Sequence, residues 1–501
     1  MLTFLQSILI AGQILLTIVF FYYGCERVLM AIVSHFAKYP QTSHQLNAAT
    51  FPKVSIQLPI FNEGIVAVRL LESVCQLDYP ADKLLVQILD DSTDSTHQLL
   101  QTSVEQLRTQ GFQIELFHRV IRSGYKAGAL ADAVLPPDVA FVAIFDSDFM
   151  PPKQFLQNVM PYFADEKVGM VQARWGHLNG EYNLLAKAQQ VALDAHFMVE
   201  QVFRQATDCF LSFNGTAGVW RKATITQAGG WQADTITEDL DLSYRAQLLG
   251  WKFVILPTVV VPAELPVEIS AFKTQQFRWA KGSTQVFCKL LQPVWRSSAP
   301  LYKKIHTVSH LGGYFFQAFA LLSLILTLPI LLSQALNHQM TQFSWLFLLP
   351  MIGTPLTWLV SQWRANDGDL KSFWHGALPL TLLGIGMGLN TTLAIFEGLT
   401  GRNPTEFLRT PKYAAVGKQA GLASQNQHWD WKMIAELFIS FYALITAWIA
   451  FQLHNPSWVV ISLSAAGYFF VAMLAFQEAG GIQRLFLNLK KELRTLQSDK
   501  W

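Results

Sequence analysis

Six long apolar runs, unevenly spaced, govern what this chain can fold into. One lies near the start, at about residues 5–33, and the others near 307–333, 344–362, 374–399, 433–454 and 457–476. Each is close to the roughly 20 residues that carry a helix across a hydrocarbon core. The first run is too long for a signal-peptide core and no small-residue cleavage pattern follows it, so it is expected to remain as an anchor helix. Residues 34–306 have soluble character. The expected order is therefore a transmembrane anchor at 1–40, a globular domain at 50–295, a helical membrane domain at 300–480 with a loop at 400–432, and a basic tail at 481–501. Composition agrees, with 51% hydrophobic residues in 501 and a mean hydropathy of +0.26, high for a soluble protein. A net charge of +2 gives no reason to expect nucleic acid as a partner. Cys25, Cys75, Cys209 and Cys288 have no metal-ligand spacing and read as reduced thiols facing a cytosol.

Between residues 53 and 290, short runs of Val, Ile and Phe alternate with longer amphipathic segments, the pattern of βαβ units and a mostly parallel, Rossmann-like sheet. Strands are predicted at Lys53–Ile60, Leu84–Leu89, Gln113–Phe117, Ala140–Phe145 and Val168–Ala173. Ligands of open α/β sheets bind beyond the carboxyl ends of strands. The residues found there are Asn62 and Glu63, Asp90 and Asp91, and Asp146 and Asp148.

Asp146-Ser147-Asp148 places two carboxylates on the same side of extended chain, where they converge on one hard cation such as Mg²⁺ or Mn²⁺ bridging a nucleotide diphosphate. A solvated turn after a strand is written the same way. Asp90-Asp91-Ser92-Thr93-Asp94 closes a strand and opens a helix, and reads on its own as an N-cap before it reads as a contact to the base or ribose of a nucleotide. Arg119, Arg122 and Gly124-Tyr125-Lys126-Ala127-Gly128 bring cations and close-approach glycines together, suited to phosphate or to a surface turn. Thr237-Glu238-Asp239 is an acidic helix start, or a general base that accepts the proton of an attacking sugar hydroxyl. In Gln275-Gln276-Phe277-Arg278-Trp279, Trp279 stacks on a sugar or anchors at lipid, and Arg278 binds phosphate.

Taken in order, Asp90-Asp91, Asp146-x-Asp148, Thr237-Glu238-Asp239 and Gln275-x-x-Arg278-Trp279 resemble the inverting, processive branch of glycosyltransferase family 2. The segments Gln57–Glu63, Gly124–Leu130 and Phe213–Trp220 are most similar to those of cellulose synthase-like mannan and glucan synthases. The resemblance implies a GT-A fold, with Glu63, Asp90, Asp91 and Lys126 at the nucleotide-sugar, and Asp146 and Asp148 at a Mg²⁺ or Mn²⁺ ion. It further implies Asp239, next to Glu238, as the base, and Gln275, Arg278 and Trp279 at the acceptor and diphosphate. Phe407-Leu408-Arg409-Thr410-Pro411-Lys412 is similar to a gating loop, through Phe407, Thr410 and Lys412, although Arg409 replaces the usual Val.

The expected activity is transfer of a hexose from UDP-glucose or GDP-mannose to a growing β-linked polysaccharide, with a glycolipid product or a non-catalytic transporter or scaffold as alternatives. The expected partners are the nucleotide-sugar, a glycan or lipid acceptor and membrane lipid, in an inner membrane with the catalytic domain cytosolic. Arg364 and Lys371 precede the 374–399 run, and Arg402, Arg409, Lys412, Lys418 and Lys432 follow it. Both joints are cytosolic by the positive-inside rule. The run is therefore expected to be interfacial or re-entrant, eased by Pro379, Gly384, Gly386 and Gly388. That leaves five spans, an outside amino terminus and an inside tail bearing Arg484, Lys490, Lys491 and Arg494.

Overall fold

The computed structural model describes residues 2–44, 51–337, 348–401 and 430–480. Phe407, Thr410 and Lys412, and the tail from residue 481, lie outside the described residues. Helix α1 (Leu2–Phe36) leads into an α/β domain with one seven-stranded sheet. Its strands are β1 (Val54–Ile60), β2 (Leu84–Asp90), β3 (Ile114–His118), β4 (Phe141–Ile144), β5 (Val168–His177), β6 (Gly218–Arg221) and β7 (Lys252–Ala263), in the order β3-β2-β1-β4-β6-β5-β7. All pair in parallel except β6, which runs antiparallel to β4 and β5.

Burial on both faces explains the near-continuous apolar strands. In β4 and the residue after it, Phe141, Ala143 and Phe145 enter one core with Leu70, Leu100 and Phe155. Val142 and Ile144 enter the other, with Trp220 and Leu242. The surrounding helices are α2 (Gly64–Cys75), α3 (Thr96–Thr109), α4 (Tyr125–Asp132), α5 (Phe155–Val159), α6 (Leu184–Ala195), α7 (Gln201–Ala206), α8 (Lys222–Gln227) and α9 (Glu238–Leu248). A π-helical turn, His196–Glu200, joins α6 to α7.

All five predicted strands form, and β6 and β7 are additional. Pro257 and Pro262 argue against an interior strand in the sequence of β7. The strand tolerates them because it is the sheet edge, and Pro257 falls in the register shift between Leu256 and Val260.

The chain continues through α10 (Ile269–Arg296), α11 (Leu301–Leu311), α12 (Phe315–Asn337), α13 (Leu348–Ala365), α14 (Lys371–Gly386), α15 (Gly388–Thr400), α16 (Trp431–Gln452) and α17 (Trp458–Glu478). Among the described residues four helical stretches are long and apolar enough to cross a membrane: Ser7–Phe36, Phe315–Ser333, Trp431–Gln452 and Trp458–Glu478. This is a membrane protein. The 344–362 run, expected as a span, begins outside the described residues, and α13 is not among the four.

Helix α10 is fixed to the membrane helices by two ion pairs, Lys273 to Glu436 at 2.7 Å and Lys281 to Glu397 at 3.0 Å. The 374–399 run breaks at Met387 into α14 and α15, bent by 48°. Near its start, a Cβ on Gly376 would lie 2.9 Å from the Lys187 carbonyl of α6. Near its end, a Cβ on Gly398 would lie 3.0 Å from the Lys281 carbonyl of α10. Both limbs therefore rest on helices continuous with the α/β domain, while Gly386 at the bend packs against Gly467 of α17.

Candidate active site

The carboxyl ends of the strands, the first turns of α4 and α9, and the second and third turns of α10 surround one cavity of about 210 Å³. It brings together Glu63, Asp91, Lys126, Asp146, Asp148, Glu238, Asp239, Gln275, Arg278 and Trp279, residues spread over more than two hundred positions of sequence. Lys126 is the hub. Its ammonium donates to Asp146 Oδ1 at 2.5 Å and to the Gly215 carbonyl at 2.9 Å. Gly128 lets its own segment close, since a Cβ there would run into the Ser123 carbonyl.

Glu238 and Asp239 begin α9. Asp239 Oδ1 accepts the Leu240 backbone N–H at 2.8 Å. Its other oxygen faces Gly215, whose φ of +82° suits glycine and where a Cβ would stand 2.9 Å from Oδ2. Burial in the cleft wall, followed by the neighbouring Glu238 charge, pushes the Asp239 carboxyl up to about 7. Burial likewise raises Glu238, against the pull of Lys126. Burial alone would lower the Lys126 ammonium, but Asp146 and Glu238 hold it above its ordinary value. Arg278, deprived of water, is lowered to about 10 and stays charged at neutral pH. A base poised near neutrality beside fixed cations is what proton removal from a hydroxyl and stabilisation of a departing diphosphate require.

At the other end of the cavity, both Asp91 oxygens take 2.7 Å bonds from Arg119, through Nε and Nη2. The Arg122 guanidinium lies 3.5 Å from the Phe61 ring centroid. Asp90, expected at the nucleotide, is not among the cavity's lining residues. It is fully buried behind the wall, where Oδ1 accepts the Ser92 N–H at 2.9 Å and Oδ2 faces His97 and His118. Neighbouring residues of extended chain point to opposite sides, so of the two aspartates only Asp91 opens on the cleft.

Among the lining residues that the sequence reading did not single out are Trp175, Asn214 and Glu264. Trp175 and Glu264 stand beyond the predicted strand set, Trp175 because β5 outruns its expected end and Glu264 because it follows the unexpected β7. The Trp175 and Trp279 ring centroids are 6.4 Å apart, giving the cavity an aromatic wall. Asn214 was legible only as part of the Phe213–Trp220 segment. Its amide donates to His196 Nε2 at 2.9 Å and accepts from Gln201 at 3.1 Å.

A family model described as Glycosyl transferase family 21 matches residues 16–367, most of the chain and every residue of this cavity. The chain belongs to glycosyl transferase family 21. This family 21 chain is 33% identical over 450 residues to glucomannan 4-beta-mannosyltransferase 9 of Arabidopsis thaliana, covering 85% of this chain and 81% of that one. It is 41% identical over 275 residues to glucomannan 4-beta-mannosyltransferase 1 of Oryza sativa subsp. japonica, covering 54% and 53%. In matches of the second kind the family 21 chain spans about half the length of the curated relatives. Among solved structures it is similar to mannosyltransferase PcManGT from Pyrobaculum calidifontis in complex with GDP-Man and Mn2+, at TM-score 0.49 and 19% identity over 80% of this chain and 100% of that one. The expected kinship with cellulose synthase-like mannan synthases agrees with the glucomannan mannosyltransferase relatives, although the matching model carries the number 21 rather than 2.

Proposed function

We propose that this chain is an inverting glycosyltransferase that moves a mannosyl or glucosyl unit from a nucleoside-diphosphate sugar to the end of a growing β-linked polysaccharide. The observation that carries the proposal is the convergence of Asp146, Asp148, Glu238 and Asp239 on one cavity, with Lys126 tied to Asp146 and to the carbonyl of the residue that faces Asp239. The relatives' names favour a mannosyl over a glucosyl unit.

In this reading Asp239 removes the proton from the acceptor hydroxyl as its oxygen attacks the anomeric carbon. The glycosidic C–O bond forms as the bond to the diphosphate breaks, and the nucleoside diphosphate leaves between Lys126 and Arg278. Trp279 and Trp175 stack on the acceptor end, and Asp91, Arg122 and Glu63 orient the nucleotide. The donor set of Asp146 and Asp148 consists of oxygens only and sits in an acidic cleft, which fits Mg²⁺ or Mn²⁺. Such an ion supplies charge neutralisation at the departing diphosphate. The α/β domain is assigned to the cytosolic side of the cell membrane, where nucleotide-sugars are made.

Purified protein incubated separately with radiolabelled GDP-mannose and UDP-glucose tests the reading. High-molecular-weight glycan made from either donor, abolished by EDTA and restored by Mg²⁺ or Mn²⁺, is expected. Label that appears only in an organic extract overturns the polymer assignment, and no transfer from either donor overturns the enzyme.

A further inference from the structure

Asp90 is fully buried, and the proposed reaction does not use it. It closes β2, and its register partner across the parallel ladder is His118, which closes β3. His97 reaches the same point from the first turn of α3. The Nδ1 atoms of both imidazoles address one carboxylate oxygen, Asp90 Oδ2, at 2.7 Å for His97 and 3.0 Å for His118. The ring centroids are 4.1 Å apart, and the two side chains are 25% and 32% exposed, so the cluster opens to solvent away from the cleft.

We propose that Asp90, His97 and His118 form a binding site for a transition-metal dication of the Zn²⁺ class, separate from the oxygen-lined cavity. The three donor atoms lie within 4.8 Å of one another. Bonds of about 2.0–2.2 Å to two imidazole nitrogens and one carboxylate oxygen are reached by opening the cluster by roughly half an ångström. The exposed side leaves a fourth position for water. Two imidazoles with one carboxylate select Zn²⁺, Ni²⁺ or Co²⁺ over Mg²⁺, whereas the Asp146 and Asp148 pair has the opposite preference. The site adjoins the nucleotide wall by one residue on each strand: Asp90 precedes Asp91, His118 precedes Arg119, and Asp91 and Arg119 are paired. It stands whether or not the cavity transfers sugar.

Tag-free full-length protein, with thiols alkylated and Mg²⁺ in excess, is stripped with chelator and titrated with Zn²⁺, and bound metal is counted after gel filtration. One tight equivalent is expected, together with visible absorption bands of tetrahedral type when Co²⁺ replaces Zn²⁺. The equivalent should persist in Asp146→Asn/Asp148→Asn and vanish in His97→Ala/His118→Ala. The single variants His97→Gln and His118→Gln keep a polar side chain beside Asp90 and guard against loss of fold. Each should weaken Zn²⁺ by more than the roughly 10–100-fold that loss of an outer partner costs. Absence of the equivalent in the parent protein, or its survival in the folded histidine variants, overturns the site.

Discussion

Asp239 couples its own chemistry to its neighbour's charge, because burial and Glu238 together raise it to about 7. Above that pH the carboxylate is ionised and able to take a proton, and as pH falls through about 7 it protonates and the base is lost. The kcat/KM profile should therefore carry an acidic limb near 7. Glu238→Gln removes the like charge and should move that limb to lower pH, while Asp239→Asn should bind donor normally yet lose at least about 10²-fold in kcat. A limb that stays put in Glu238→Gln refutes the coupling. Gly215→Ala tests the same contact sterically: its Cβ would meet Asp239 Oδ2 at 2.9 Å on a backbone of φ +82°. Turnover should fall with little change in detergent Tm, and unchanged turnover would show that the contact has no role in orienting Asp239. At this scale the sequence was legible in part. Asp146 and Asp148 both line the cavity as expected, but so does Ser147 between them, because β4 has ended at Ile144 and the chain is turning; of adjacent Asp90 and Asp91 only one opens on the cleft, and choosing between them needed the histidines that hold Asp90.

Elements were legible where the hydrophobic period was unambiguous. Four of the five predicted strands are apolar runs buried on both faces and β3 is a half-exposed edge, but β6 is only four residues long and β7 carries prolines that its edge position accommodates. The same holds in the membrane domain, where length alone described 374–399 as a span. Its charge pattern implied an interfacial or re-entrant helix, eased by its glycines; the 48° break between α14 and α15 is common to a re-entrant pair and a broken span. Helices that both rest on the α/β domain are expected to have their outer ends on one side of the bilayer. In a cysteine-free background, single cysteines at Asp369 and Gly401 should react with an impermeant thiol reagent from the same side. Labelling from opposite sides would make the pair a complete span and reverse the assigned topology.

Across the whole molecule, helix α1 is tied by charged side chains to the elements that carry the cavity. Glu26 accepts from His306 at 2.9 Å, and Arg27 pairs with Glu200 of the π-helical turn. Glu200 also takes His196 at 3.1 Å, whose other nitrogen accepts from the cavity residue Asn214. Farther along, Arg364 of α13 donates to the His35 carbonyl at 2.8 Å at the end of α1. Arg27→Ala takes from half-buried Glu200 one of its two guanidinium partners, Arg204 remaining at 3.3 Å, and should cost about 1.5–3 kcal/mol. Thermal unfolding in detergent should show a clear drop in Tm, partly recovered in Arg27→Met/Glu200→Gln. An unchanged Tm would reduce the helix to a tether. The packing of α1 against α13 also sets a timetable for biosynthesis. The anchor leaves the ribosome more than 300 residues before α13 exists. The charges of α1 wait less long: at roughly 5–20 residues per second Glu200 follows Arg27 after on the order of 10–35 s, and His306 follows Glu26 after about 15–55 s. During that interval the nascent chain depends on the insertion machinery to shelter those charges from lipid.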